Sequence, residues 1–175
     1  MSPTPDSATL PGAGGSLLGT RVLRTEDPRL LTGVAKYTAD LPFDDLLHAV
    51  FVRSEVAHGV IRSIDTSDAA SMPGVVAVWT ADDLDIAPHH GFVKIHDDFA
   101  RAPLARDRVR FVGEQVAVVF AVSRQQAVDA AAAVFVEIDE LPAVVDAEDA
   151  LAEDAPLLYE GRPNNVAVSE SPPKS

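Results

Sequence analysis

Residues 116–122, VAVVFAV, are apolar at every position, and they end a longer run that starts at Arg110, RFVGEQVAVVFAV. A Val-rich run of this length is the strongest strand signal in the chain. Gly113 and Glu114 interrupt it, which predicts a bulge or a sharp bend. Ser123 then supplies a cap for an Ala-rich helix over 124–133, with Ala127, Ala130 and Ala131 on one stripe. Residues 134–138 return as a strand. Whatever this chain folds into must be arranged around that strand and the helix after it.

The rest of the chain supplies the neighbours. Residues 46–54 and 59–65 read as strands. Thr66 or Ser67 is placed to cap a short helix through Met72, stopped by Pro73-Gly74. Residues 75–80, VVAVWT, read as a buried strand, and 81–84 as a turn of helix. Residues 85–109 form a long polar connection, expected to be mobile. Val144-Val145 suggests a short further strand, and Asp146 a cap for a helix over 147–151. At the N-terminal side, the charged run 24–29 reads as a loop leading through Gly33 into a short strand that ends near Tyr37 and Asp40. With 47% apolar but 6% aromatic residues, the core must be built from Val, Ala, Leu and Ile. The order mixes hairpin-like and crossover links, so the expected class is α+β. A Pro- and Gly-rich lead-in (1–16), one folded unit (17–162) and an exit strand running into a Ser/Pro linker (163–175) are expected.

A net charge of −13 argues against nucleic acid and anionic membrane surfaces as partners. The chain has no cysteine, which removes disulfides, thiolate catalysis and cysteine-ligated clusters from its own chemistry. No apolar run has the length of a membrane span, and no basic region precedes an apolar stretch at the start, so the cytoplasm is the expected location.

Few residues suggest chemistry. His89, His90, His96, Asp97 and Asp98 are metal-ligand types without a standard ligand spacing, and they read as solvated loop residues. Ser54, His58 and Asp65 are triad types on a strand-turn-strand, where convergence is not required and no nucleophile elbow is present. Gly12 to Gly15 lacks the preceding strand of a nucleotide loop. Lys94 is a candidate for a lipoyl- or biotinyl-type carrier lysine, but it lacks the usual neighbours. Glu114 must be hydrogen-bonded, paired or turned outward, with contact to a partner surface as the alternative. Arg101, Arg106, Arg108 and Arg110 precede a stretch, between Arg124 and Arg162, that has acids but no Lys or Arg. That asymmetry favours docking by opposite charge if it is more than a solvated surface.

Several segments resemble, in order, the large-subunit family of molybdenum hydroxylases: xanthine dehydrogenases, aldehyde oxidases and carbon monoxide dehydrogenases. These are Glu26 to Gly33 (EDPRLLTG), Phe51 to Ile61 (FVRSEVAHGVI), Ile64-Asp65 with Met72 to Val78 (MPGVVAV), Thr80 to Leu84, Arg110 to Ala117 (RFVGEQVA) and Glu140 to Asp146 (ELPAVVD). The EDPRLLTG form is most similar to the carbon monoxide dehydrogenase type. Glu55 and Gln115 stand where the family pattern has prolines, and Ile138-Asp139 where it often has Tyr-Glu.

The resemblance implies an α/β-hammerhead domain that precedes the domains holding molybdopterin and packs beside an iron–sulfur subunit. It implies a complete enzyme that hydroxylates aldehydes or N-heterocycles or oxidises CO, with a molybdopterin-type cofactor, and with [2Fe-2S] and FAD on partner domains or subunits. It assigns this segment no catalytic, cofactor-binding or metal residue, and a structural, interface-forming role through Arg53, His58, Gly113 and Glu114. Either the molybdopterin-binding domains continue this chain, or the chain completes such an enzyme as a separate subunit.

Overall fold

The structure, a computed structural model, describes residues 24–169. The expected lead-in over 1–16, the segment 17–23 and the end of the linker, 170–175, lie outside the described residues. In chain order the described residues form α1 (Asp27–Leu31), β1 (His48–Arg53), β2 (Gly59–Asp65), α2 (Ser67–Ser71), β3 (Val75–Thr80), β4 (Arg108–Val109), β5 (Gln115–Ala121), α3 (Arg124–Ala132) and β6 (Phe135–Glu140). Single 3₁₀ turns occupy Thr38–Asp40, Ala81–Asp83, Asp97–Phe99 and Asp149–Leu151. No described helix is long and apolar enough to cross a membrane.

The chain divides into two units at Asp44/Asp45. In the first, the expected charged loop is the helix α1, with a proline in its opening turn. Thr32 Oγ1 donates to the Pro28 carbonyl at 2.7 Å, and Gly33 turns the chain at φ +70°. The strand expected before Asp40 is absent from the described residues. A 3₁₀ turn stands there, with the Tyr37 amide donating to Asp40 Oδ2 at 3.0 Å.

In the second unit two antiparallel three-stranded sheets form, ordered β1-β5-β3 and β4-β2-β6. Of the run expected as one strand over 110–122, only Gln115–Ala121 is a strand, β5, at the centre of one sheet; the two residues just before the run form β4, which pairs with β2 in the other. The change of sheet is made at Gly113, whose φ of +91° is open to glycine and costly for other residues. The bend predicted from Gly113-Glu114 is therefore present, and sharper than a bulge.

The second-unit core surrounds β5. Ala117 and Val119 pack with Ala69, Ala130 and Val134, where alanines let α3 approach the sheet closely. Val118 packs with Ala81 and Leu104, and Val116 with Ala105 and Val109. Leu104 and Ala105 come from the long connection 85–109, which thus contributes core residues. That connection also carries a bridge between His89 and Arg101.

Local details follow the sequence with corrections. Ser123 Oγ accepts from the Gln126 amide at 3.3 Å, as expected of a cap. Thr66 stands at the N-cap of α2 without a side-chain capping bond, and Asp65 before it accepts from the Ser67 amide at 2.9 Å. β3 is an edge strand, not a buried one: Val76 and Trp79 are exposed, and Trp79 meets Phe120 edge-on at 4.8 Å. Val144-Val145 forms no strand. Asp146 does cap, accepting from the Glu148 amide at 2.7 Å, but only the 3₁₀ turn Asp149–Leu151 follows. Residues 163–169 hold turns and bends, and Asn165 bonds to Leu158, Ala150 and Pro156.

Candidate functional site

Three of the four residues expected at an interface meet at one corner. Arg53 ends β1, where the register against β5 shifts after Val52. Its guanidinium donates to the Gly113 carbonyl at 2.8 Å and lies 5.8 Å from the centre of the Phe51 ring. The Gly113 amide donates to the Ser54 carbonyl at 2.8 Å, and the Ser54 amide to the Glu114 carbonyl at 2.9 Å. Glu114 Oε2 accepts from the Arg110 amide at 2.5 Å, so its carboxylate closes the bend. Replacing Gly113 by alanine meets no atom within 4 Å, so its cost is backbone strain alone. The expected loss is about 1–2 kcal/mol, read as a lower urea midpoint at unchanged slope.

His58 lies apart from that corner and is buried, with 4% exposure. Its Nδ1 is 2.9 Å from the Pro142 carbonyl and its Nε2 is 3.1 Å from Arg108. A guanidinium can only donate, so Nε2 accepts and Nδ1 carries the hydrogen. Arg108 also pairs with Glu160.

The other candidates separate. Ser54 Oγ bonds to Val56, and Asp65 to Ser67, so the triad types have different partners. Lys94 sits 2.5 Å from Asp97, and His90 3.5 Å from the same carboxylate. His96 pairs with Asp98 at 3.1 Å, while His89 bonds through its backbone to Arg101. Among the described residues no group of three or more His, Cys, Asp or Glu could hold a metal ion. An iron–sulfur cluster takes cysteine thiolates in most proteins, and the chain has none. The chain therefore offers no thiolate to an iron–sulfur cluster.

Three exposed carboxylates have pKa values held below the ordinary 3.8. The Ser67 hydroxyl and amide do this for Asp65, the Thr80 amide and hydroxyl for Asp83, and the Lys94 ammonium for Asp97. A lowered folded-state value means these bonds stabilise the fold above the unfolded pKa and are lost as pH falls through the lowered one. Urea midpoints should therefore drop between about pH 5 and about pH 2, and less in an Asp65→Asn/Asp83→Asn variant.

The cluster Arg101, Arg106, Arg108 and Arg110 is also split. Arg106 pairs with Asp82 and donates to the Ala81 carbonyl at 2.7 Å. Arg101 and Arg110 instead line a cleft of about 600 Å³ with His58, Phe99, Tyr159 and Arg162. Sequence reasoning missed this cleft. Its walls come from residues 57–58, 95–112 and 142–167, and nothing local marks them as neighbours.

Residues 32–142 match the family model described as the aldehyde oxidase and xanthine dehydrogenase a/b hammerhead domain. The nicotine 6-hydroxylase large subunit of Paenarthrobacter nicotinovorans is 42% identical over 159 residues, covering 87% of this chain and 19% of that protein. The carbon monoxide dehydrogenase large chain of Hydrogenophaga pseudoflava is 41% identical over 152 residues, again 87% of this chain and 19% of that one. Among solved structures, reconstituted CO dehydrogenase from Oligotropha carboxidovorans superposes with a TM-score of 0.73 at 39% identity, over 82% of this chain and 18% of its own. Quinoline 2-oxidoreductase from Pseudomonas putida 86 gives 0.69 at 45% identity, over 78% and 18%. The chain spans about a fifth of the length of these relatives. An α+β fold of two small sheets, a family-model match across most of the second unit, and close likeness to solved members agree: this chain belongs to the aldehyde oxidase and xanthine dehydrogenase family, as an a/b hammerhead domain.

Proposed function

We propose that residues 17–162 are the hammerhead module of a molybdenum hydroxylase large subunit, with a structural and interface role and no turnover of their own. The complete enzyme would be a cytoplasmic oxidoreductase that hydroxylates an aldehyde or N-heterocycle or oxidises CO. Its molybdopterin-type cofactor would sit on the remaining large-subunit domains, and [2Fe-2S] and FAD on partner domains or subunits. Relatives named as carbon monoxide dehydrogenase, xanthine dehydrogenase molybdenum-binding subunit and aldehyde oxidoreductase support this reading. The observation that carries the non-catalytic role is the way candidate polar groups are used: the Arg53–Gly113–Glu114 corner and His58 are tied to main-chain atoms and Arg108.

At the corner, Arg53, Gly113 and Glu114 form a rigid edge for a neighbouring surface. His58 fixes one wall of the cleft from behind. The test is elemental analysis of the purified chain and of its complex with the molybdopterin-binding domains. Molybdenum near one equivalent is expected in the complex and essentially none in the chain. Arg53→Glu should weaken the complex about tenfold or more. Stoichiometric molybdenum in the isolated chain, or no association by the unaltered chain, overturns the reading.

A further inference from the structure

The cleft is built from three guanidinium–ring pairs. Arg101 lies 5.6 Å from the centre of the Phe111 ring, Arg110 4.9 Å from Tyr159, and Arg162 5.3 Å from Phe99. A guanidinium that uses its face on a ring keeps its in-plane N–H groups for acceptors. Arg162 spends some of these on the Val166 carbonyl at 3.2 Å and on Asp98 at 3.8 Å, but its buried Nε has no acceptor. Arg110 donates from Nε to the Leu158 carbonyl at 3.3 Å. Among the described residues neither Arg101 nor Arg110 has a carboxylate within salt-bridge distance. That is notable in a chain with 27 acids and 14 Lys and Arg, where acids are the abundant partner.

Beside these cations the cleft shows apolar side chains to solvent. Ile95 is 50% exposed, Val112 64% and Val145 96%. Unneutralised arginines next to exposed aliphatic groups, with rings behind them, have the composition of an interface that a partner desolvates. The complement is a peptide segment with a carboxylate and an adjacent apolar side chain. One wall, 142–167, begins where the family-matched stretch 32–142 ends. In a relative about five times longer, the rest of the polypeptide is covalently joined to the matched part, and so is held near it at high effective concentration.

We propose that the cleft docks an acid-bearing segment of the molybdopterin-binding polypeptide, its carboxylate held by Arg101 and Arg110 and its apolar neighbour seated between Phe111 and Tyr159. This rests on the function proposed above and adds the partner and its chemistry. Charge recognition at a partly desolvated site gives the contact register, and the rings and valines supply buried area.

The test places the photo-crosslinking residue p-benzoylphenylalanine at Val112 in the complete enzyme, with the crosslinked peptide mapped by mass spectrometry. The expected product joins Val112 to a molybdopterin-binding segment that carries Asp or Glu within a few residues. Arg101→Glu/Arg110→Glu should cut the yield roughly tenfold. Val145→Asp, at an exposed lip where folding is not at stake, should cut it in the same direction. A crosslink to the iron–sulfur polypeptide, to residues 24–169, or to a segment without acids overturns the inference, as does a yield indifferent to both variants. Molybdenum content separates the two readings. An enzyme assembled with molybdenum but crosslinked elsewhere defeats this inference alone, whereas one that neither assembles nor holds molybdenum defeats both.

Discussion

Leu104→Ala is expected to lower the unfolding free energy by about 2–5 kcal/mol, measured as a drop in urea midpoint at unchanged slope. Leu104 is 1% exposed and packs with Ala81 and Val118, with Leu84 and Phe120 beside them. Truncation removes buried methyl groups and leaves a cavity that β5, held by strands on both sides, cannot collapse to fill. Phe92→Ala is the control. The same connection carries Phe92 fully in solvent, so its removal should change stability by no more than about 0.5 kcal/mol. If the two variants behaved alike, the connection 85–109 would not be anchored through Leu104.

Ala130→Leu should cost about 3 kcal/mol, at the upper end of what overpacking does. Ala130 has no exposure and packs in the cluster of Ala69, Ala117, Val119 and Val134. A leucine there must push α3 away from β5 or force neighbouring side chains from their rotamers. Ala132→Leu, on the exposed side of the same helix, should be within about 0.5 kcal/mol of the parent. The pair separates packing from helix propensity, which is nearly the same for both positions.

Where local chemistry decides, the sequence was readable. β2 spans Gly59–Asp65 as its pattern required, and the Ser123 cap and alanine stripe placed α3 to within a residue. The bend at Gly113-Glu114 was visible because only a special backbone angle tolerates that break. The helix α1 was missed although Asp27-Pro28 carries a signal, an acid and a proline in the first turn. The continuous apolar residues of β3 predict a buried strand. Burial depends on what covers each face, and Trp79 has only partial cover. The site was less readable. Arg53, Gly113 and Glu114 could be named individually, but the bond from Arg53 to Gly113 spans 60 positions. The cleft was hidden for the same reason, since the guanidinium–ring pairs that shape it depend on the wrapping of 142–167 around 95–112.

The strand pairing sets a timetable for synthesis. Among the described residues β1 and β3 pair only with β5, and β2 only with β4 and β6. Each early strand therefore leaves the ribosome before its partner exists, and pairing must wait for the long loop to close. A nascent chain that has not reached Arg108 holds three strands with bare edges and no native mate for any of them. During that interval VVAVWT and HAVFVR are open to strands from other molecules. Stalled or truncated products of this gene should therefore aggregate or be held by chaperones, however stable the finished domain is.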